Sequence, residues 1–258
     1  MNCDAQTLMS LAGGLQSIPN GMKGAVQVSL YCGLTSGIAP LVIATNSIDN
    51  SLGKTSYGTD SAYQPRPNSL VLAIVENYLS TGGAVLPTFS GNGLTWVQVA
   101  TQLFTIGNKL RITVFRAMGS APTSTTSIAD FGATAQTACG IRIVEVLGVD
   151  TSGTNGSGAV VQSATNSSVG TSDPGSVTLG LPVNANGNDT VMGFLSIANH
   201  YPANCTPDVG WSVLYDGGYG FYAGSFCSYE NHSVTNVWHA TTGVSTSWGA
   251  IALEIKPQ

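Results

Sequence analysis

This sequence predicts an all-β fold: a jelly-roll-like antiparallel β-sandwich preceded by a short N-terminal helical hairpin. Three observations carry that expectation. Apolar runs of strand length recur from about residue 58 to the C-terminus, with Gly-, Asn- and Pro-rich turns between them. Helical spacing of apolar residues is confined to the first thirty-odd positions. Charged residues make up only 8% of the chain against 43% hydrophobic, so hydroxyls and amides must supply the polar faces. That apolar content and the recurring strand patterns exclude a disordered low-complexity chain.

The N-terminal elements come first. Asp4 is a fitting N-cap, and Leu8, Leu11, Leu15 and Ile18 follow at helical spacings, weakened in the middle by Gly13 and Gly14. Pro19-Asn20-Gly21 marks a turn, Met22, Val26 and Leu30 form the face of a second helix, and Gly33 suits its C-terminus. An antiparallel pair of such helices brings Cys3 near Cys32, either as a disulfide or as two buried small residues. This sets residues 1–34 apart as an N-terminal helical module and 35–57 as a connector. Within the connector, Pro40–Ala44 has the composition of one strand, expected to pair with a partner chain.

Residues 58–258 are expected to form the sandwich, with roughly 8–10 strands by analogy with jelly rolls. Ser69–Val75 is a continuous apolar run, as in a strand buried on both faces. Leu94–Phe104 and Lys109–Arg116 flank a hairpin signal, and Leu110, Ile112 and Val114 alternate with Arg111 and Thr113. Gly140–Val149, Ser176–Leu181, Thr190–Ala198, Gly220–Tyr229 and Ala250–Ile255 complete the set. No internal repeat of fixed period is apparent.

Charge and hydropathy exclude some function classes. The net charge is −5 and the eight Lys and Arg form no basic stripe, which argues against nucleic acid. No apolar run approaches the ~20 residues that span a bilayer, so membrane insertion is not expected. Asp4 and Gln6 interrupt any signal-peptide core, so synthesis in a cytoplasm without signal-dependent export is expected.

The chemistry-bearing residues are sparse. The histidines are His200, His232 and His239, and no GxSxG elbow occurs, so no catalytic residues are assigned and the protein is not expected to be an enzyme. A glycosidase would need two opposed carboxylates. Glu76, Glu145, Glu230 and Glu254 lie in or at the ends of strands; Glu145 and Glu254 interrupt apolar strands and suit a buried, paired role with Arg142 or Arg111 as partner. Asp150–Gly156 has some oxygen-ligand spacing, but Val161 stands where a calcium loop needs Glu, so no metal or cofactor is expected. Aromatic residues crowd the last quarter, and Tyr215, Tyr219, Phe221 and Tyr222 are the candidates for stacking against a glycan, in competition with core packing and a subunit interface. Trp96, Trp211 and Trp248 are the expected core members. Of the five cysteines, Cys205 and Cys227 flank the aromatic region and are candidates for a second disulfide.

Two stretches carry a resemblance. Cys3-Asp4, Leu8, Pro19–Met22 and Val26–Cys32 resemble a short N-terminal module of tailed-bacteriophage structural proteins. Pro67–Leu72, Ser90–Trp96, Val144–Asp150 and Trp248–Lys256 resemble a β domain found in phage and metagenomic proteins. The resemblance implies a non-enzymatic component of the virion surface: a capsid decoration protein, a head fibre or a tail-associated adhesin. It implies anchoring on other capsid or tail proteins through Leu8, Leu11, Leu15, Met22, Val26 and Leu30. A homo-oligomer is expected, a trimer by analogy with fibres. The alternative is a carbohydrate- or receptor-binding module for host attachment, with a polysaccharide-degrading enzyme a further alternative.

Overall fold

Sixteen strands and no helix make up the regular structure among the described residues. The computed structural model describes residues 38–46, 53–105, 107, 109–171, 175–180, 188–198, 204–219, 223–241 and 246–258. The helical hairpin expected over 1–34, its apolar face and the Cys3/Cys32 pair therefore lie outside the described residues.

The first eight strands are β1 (Ala39–Thr45), β2 (Ser56–Gly58), β3 (Leu70–Tyr78), β4 (Thr88–Ser90), β5 (Val97–Phe104), β6 (Leu110–Ala117), β7 (Ile128–Asp130) and β8 (Ala138–Leu147). The second eight are β9 (Val160–Thr171), β10 (Gly175–Thr178), β11 (Thr190–Ala198), β12 (Thr206–Pro207), β13 (Ser212–Tyr219), β14 (Ala223–Glu230), β15 (Val237–Thr241) and β16 (Thr246–Ile255). They form two five-stranded antiparallel sheets, ordered β1-β8-β3-β6-β5 and β9-β16-β11-β14-β13. Two three-stranded sheets accompany them, ordered β2-β7-β4 and β10-β15-β12. Adding eight to each index of the first half gives the second half without exception. The chain is thus an internal duplication.

Details within the strands repeat as well. β3 and β11 each have nine residues, β5 and β13 eight, β6 and β14 eight, and β8 and β16 ten. A bulge falls between the second and fourth residues of β5 (Gln98, Ala100) and again between those of β13 (Val213, Tyr215). Trp96 immediately precedes β5 and Trp211 immediately precedes β13. Glu145 stands opposite the second residue of β3, Val71, and Glu254 opposite the second residue of β11, Val191.

Four layers result, with three cores between them. The large sheets face each other across a cluster that includes Leu70, Leu72, Ile74, Ile112, Val114, Val144 and Val146 from the first and Met192, Phe194, Cys227, Ile251, Leu253 and Ile255 from the second. Alternate residues point the other way. Val71, Ala73, Val75, Phe115, Ile141 and Ile143 pack under Tyr57, Phe89 and Ala129 of the first small sheet. Val191, Leu195, Ile197, Phe226 and Ala250 pack under Val177, Trp238 and Ala240 of the second. Burial on both faces is why β3, β8, β11 and β16 read as near-continuous apolar runs rather than alternating ones.

Contacts between the halves are reciprocal. β5 packs on β9 and β16, while β13 packs on β1 and β8, the exchange that a two-fold relation imposes. The β5 edge is also tied to β9 by a hydrogen bond from Gln102 Nε2 to Ser167 Oγ (2.9 Å). Phe104 of β5 lies on Gly249 of β16, where a Cβ would come within 2.3 Å of the ring. Glycine at 249 lets this aromatic bridge the two sheets.

Several expectations are corrected. The strands number sixteen in two sets of eight, not 8–10. β1, within the expected connector, pairs with β8 of its own chain and so belongs to the sandwich. Cys205 and Cys227 form no disulfide. Cys227 faces the core between the large sheets and Cys205 belongs to the outer core of the second half, so the sheet itself separates them.

Candidate functional site

The stretch weighed between core packing, a subunit interface and glycan stacking contributes to an edge strand, β13. Its bulge turns two successive side chains, Leu214 and Tyr215, toward the core between the large sheets. The Tyr215 ring lies 4.7 Å from the guanidinium carbon of Arg142 on β8. Burial pushes its phenol well above the ordinary range, with smaller contributions from nearby thiol and carboxyl groups. Tyr215 is therefore an inward-facing residue and no stacking platform. The side chains of Tyr219, Phe221 and Tyr222 lie outside the described residues. Of the expected core tryptophans, Trp248 is buried. Trp211 is half-buried against the outer core. Trp96 is half-buried too, packs edge-on against Phe89 at 4.8 Å, and donates Nε1 to the Gly91 carbonyl. The sequence reading missed Trp238, which is wholly buried. Its signal was the glycine of β11: a Cβ at Gly193 would lie 2.1 Å from the Trp238 indole.

The acids are bound into the scaffold. Glu145 accepts hydrogen bonds from the Arg66 backbone N–H (2.5 Å) and the Ser69 hydroxyl (2.8 Å), with the Arg66 side chain 3.8 Å away. Its counterpart Glu254 accepts from Gln162 Nε2 (2.5 Å). Glu230 accepts from the Ser233 hydroxyl (2.6 Å). Neither expected arginine partner serves Glu145. Arg111 donates to the Ala84 carbonyl and the Thr101 hydroxyl, and Arg142 stands 3.8 Å from Glu76.

Glu76 is different in kind. It projects from β3 into the core between the halves, where Oε1 accepts a hydrogen bond from the Ser225 hydroxyl of β14 (2.8 Å). Burial pushes its carboxyl up to about 7 against the opposing pull of Arg142 and Ser225. Burial likewise raises the thiols of Cys139 and Cys227 well above the ordinary range, and Cys205 to about 12.

The loop at Asp150 is held by its own side chains. Asp150 accepts from the Ser152 backbone N–H (2.7 Å) and pairs with Lys256 (2.6 Å), which hold its carboxyl well below the usual range. Among the described residues no three His, Cys, Asp or Glu side chains gather as a metal site. His239 pairs with Asp208 at 2.7 Å, and His200 lies outside the described residues.

A cavity of about 260 Å³ opens where the two halves meet. It is lined by Tyr78, Thr105, Lys109, Leu110, Ala198, Thr246 and Ser247. Tyr78 and Ala198 are the last residues of the corresponding strands β3 and β11. Four hydroxyls and one ammonium surround a small apolar floor, a set that suits a polyhydroxylated or anionic small group. Tyr215, the one glycan candidate whose side chain is described, is not among them. The site is assembled from four segments distant in sequence, at Tyr78, at Thr105, Lys109 and Leu110, at Ala198, and at Thr246 and Ser247, so no local motif announces it. Comparison with protein-family models, with curated proteins and with solved structures finds no match for the chain.

Proposed function

We propose that the chain is a non-catalytic structural protein of a bacteriophage particle, displaying a tandem of two jelly-roll units on the virion surface. The observation that carries the scaffold role is the duplication itself. The jelly-roll reading is supported in each half by the order β1-β8-β3-β6 over β2-β7-β4 and by its second copy; β5 departs from it, since it extends the large sheet beside β6 instead of joining the small sheet, as β13 does beside β14. The two units bury their broad sheets against each other, leaving the small sheets and the loops outermost. The carboxylates at Glu145, Glu254 and Glu230 and the three raised thiols are engaged in packing rather than arranged around a cleft. The assignment to a phage particle rests on the sequence resemblance described above. Residues 1–34 are the proposed attachment to capsid or tail proteins, and a homo-oligomer, a trimer by analogy, is part of the same proposal. Immunogold labelling of purified particles with an antibody against residues 58–258 tests it. Gold over capsids or tails is the expected result, and particles free of gold overturn it.

A second reading, a carbohydrate- or receptor-binding module, is favoured by one observation, the hydroxyl-lined cavity between the halves. It predicts glycan-array binding that Tyr78→Ala and Lys109→Ala abolish. Unaltered binding by both variants removes the cavity from consideration.

A further inference from the structure

The two halves match closely in backbone but not in charge. The seventh residue of β3 is Glu76 and the seventh of β11 is Ser196, and both are buried in the core between the large sheets. Ser196 stands opposite Ser225 on the neighbouring strand β14, and Ser225 donates across the interface to Glu76 Oε1. The other oxygen, Glu76 Oε2, is buried without a hydrogen bond, and Arg142 Nη1 is 3.8 Å from it. Arg142 in turn lies against the Tyr215 ring, and a Cβ at Gly217 would come within 3.0 Å of its guanidinium. The groups that bear on this carboxyl are thus Arg142 and Cys139 from β8, Tyr215 from β13 and Ser225 from β14, with the Cys227 thiol of β14 beside Arg142 and Tyr215. A buried carboxylate held by one hydroxyl and one cation beyond hydrogen-bond reach is poorly compensated. The neutral acid keeps the Ser225 bond and removes the charge.

We propose that Glu76 is a proton-operated latch between the two halves: protonated, it closes the interface on Ser225, and ionised, it loosens β3 from β14. The sign follows from where the proton is held. In the closed chain the carboxyl keeps its proton up to about 7, whereas in an opened interface it returns to the ordinary carboxylate value near 4.5. Closure therefore binds a proton between those limits, and it weakens as pH rises through this window and levels off above it. The second half carries serine at the corresponding station, so the device is present once.

Cys227 lies in the same core and reports on opening. The test is the rate of maleimide labelling of Cys227 in the full chain, located by mass spectrometry, for the wild type and Glu76→Gln at pH 5.5 and 7.5. Dividing one protein by the other at each pH cancels the ionisation of the thiol. The ratio of wild type to variant is expected to rise about twentyfold between the two pH values. A ratio that does not change with pH overturns the latch. Glutamate-selective ¹³C NMR of the wild type gives a reading that needs no variant. A buried carboxyl resonance titrating near 7 supports the proposal, and titration of every glutamate below about 5.5 overturns it.

Discussion

The first half roofs its large sheet with aromatics on the outer strands and alanine between them: Tyr57 stands opposite Ala129, which stands opposite Phe89. The second half inverts the sizes. Its central strand β15 carries Trp238, and the neighbour opposite is Val177. The sheet beneath compensates, because the fourth residue is Ala73 in β3 and Gly193 in β11. One strand order is therefore filled by two different jigsaws. What the duplication keeps is the strand order, the edge bulge, the tryptophan before it and the glutamate at the sheet end. Volume is redistributed between facing positions, as cores allow when the total is conserved.

Breaking the second jigsaw should have the largest effect. Trp238→Ala removes a wholly buried indole and its bond to the Ser228 hydroxyl (2.9 Å), and is expected to cost about 4 kcal/mol by urea denaturation. Gly193→Ala drives a methyl into the same indole and should cost about 3 kcal/mol. The mirror change, Ala73→Gly, should cost only about 1 kcal/mol, chiefly through backbone entropy. Equal costs at positions 73 and 193 would mean that the two roofs are not filled differently.

The corners leading into the tryptophans sharpen the contrast. In the first half Asn92, buried at φ 58°, donates to the carbonyls of Tyr63 and Thr125 and accepts from the Ser127 hydroxyl. In the second half the matching loop is tied to β15 by the exposed pair of Asp208 and His239. Asn92→Ala is expected to lose about 2 kcal/mol, since buried partners are orphaned. Asp208→Asn should lose less than about 1 kcal/mol, as exposed ion pairs do. Both are read from the same denaturation curves. A larger loss at 208 would reverse the ranking of the corners.

Legibility in the sequence followed burial. The strands covered on both faces, β3, β8, β11 and β16, announce themselves as apolar runs, and Thr190–Ala198 was delimited to the residue. The edge strands β9 and β13 did not. Half of Val160–Thr171 is Ser, Thr and Asn, and Ser212–Tyr219 ends in Asp-Gly-Gly-Tyr, because an edge needs little apolar surface. The duplication was hidden for a related reason. Loop lengths differ between the halves, so corresponding strands recur at unequal distances and no fixed period survives. Its traces are short: Gly140-Ile-Arg-Ile-Val-Glu145 against Gly249-Ala-Ile-Ala-Leu-Glu254, and the paired Trp96 and Trp211.

The candidate site was less legible still. A bulge reverses which side chains face inward without changing the residues around it, and that decided for Tyr215 between the core and the surface. The cavity beside Tyr78 and Lys109 and the contact between Glu76 and Ser225 join residues more than a hundred positions apart, beyond the reach of any local pattern.

The sequence by itself determined that the chain is built of antiparallel strands, which of them are buried on both faces, and that its surface relies on hydroxyls and amides rather than charge. Those properties are local: they follow from composition and from the alternation of apolar and polar residues along a strand. Only the tertiary structure decided that the strands form two matching sets of eight, that the broad sheets face each other, and that one glutamate lies between them where the second half has serine. Those are properties of pairing between distant segments, and pairing depends on register and on complementary volume across an interface, neither of which is carried by any single stretch of chain.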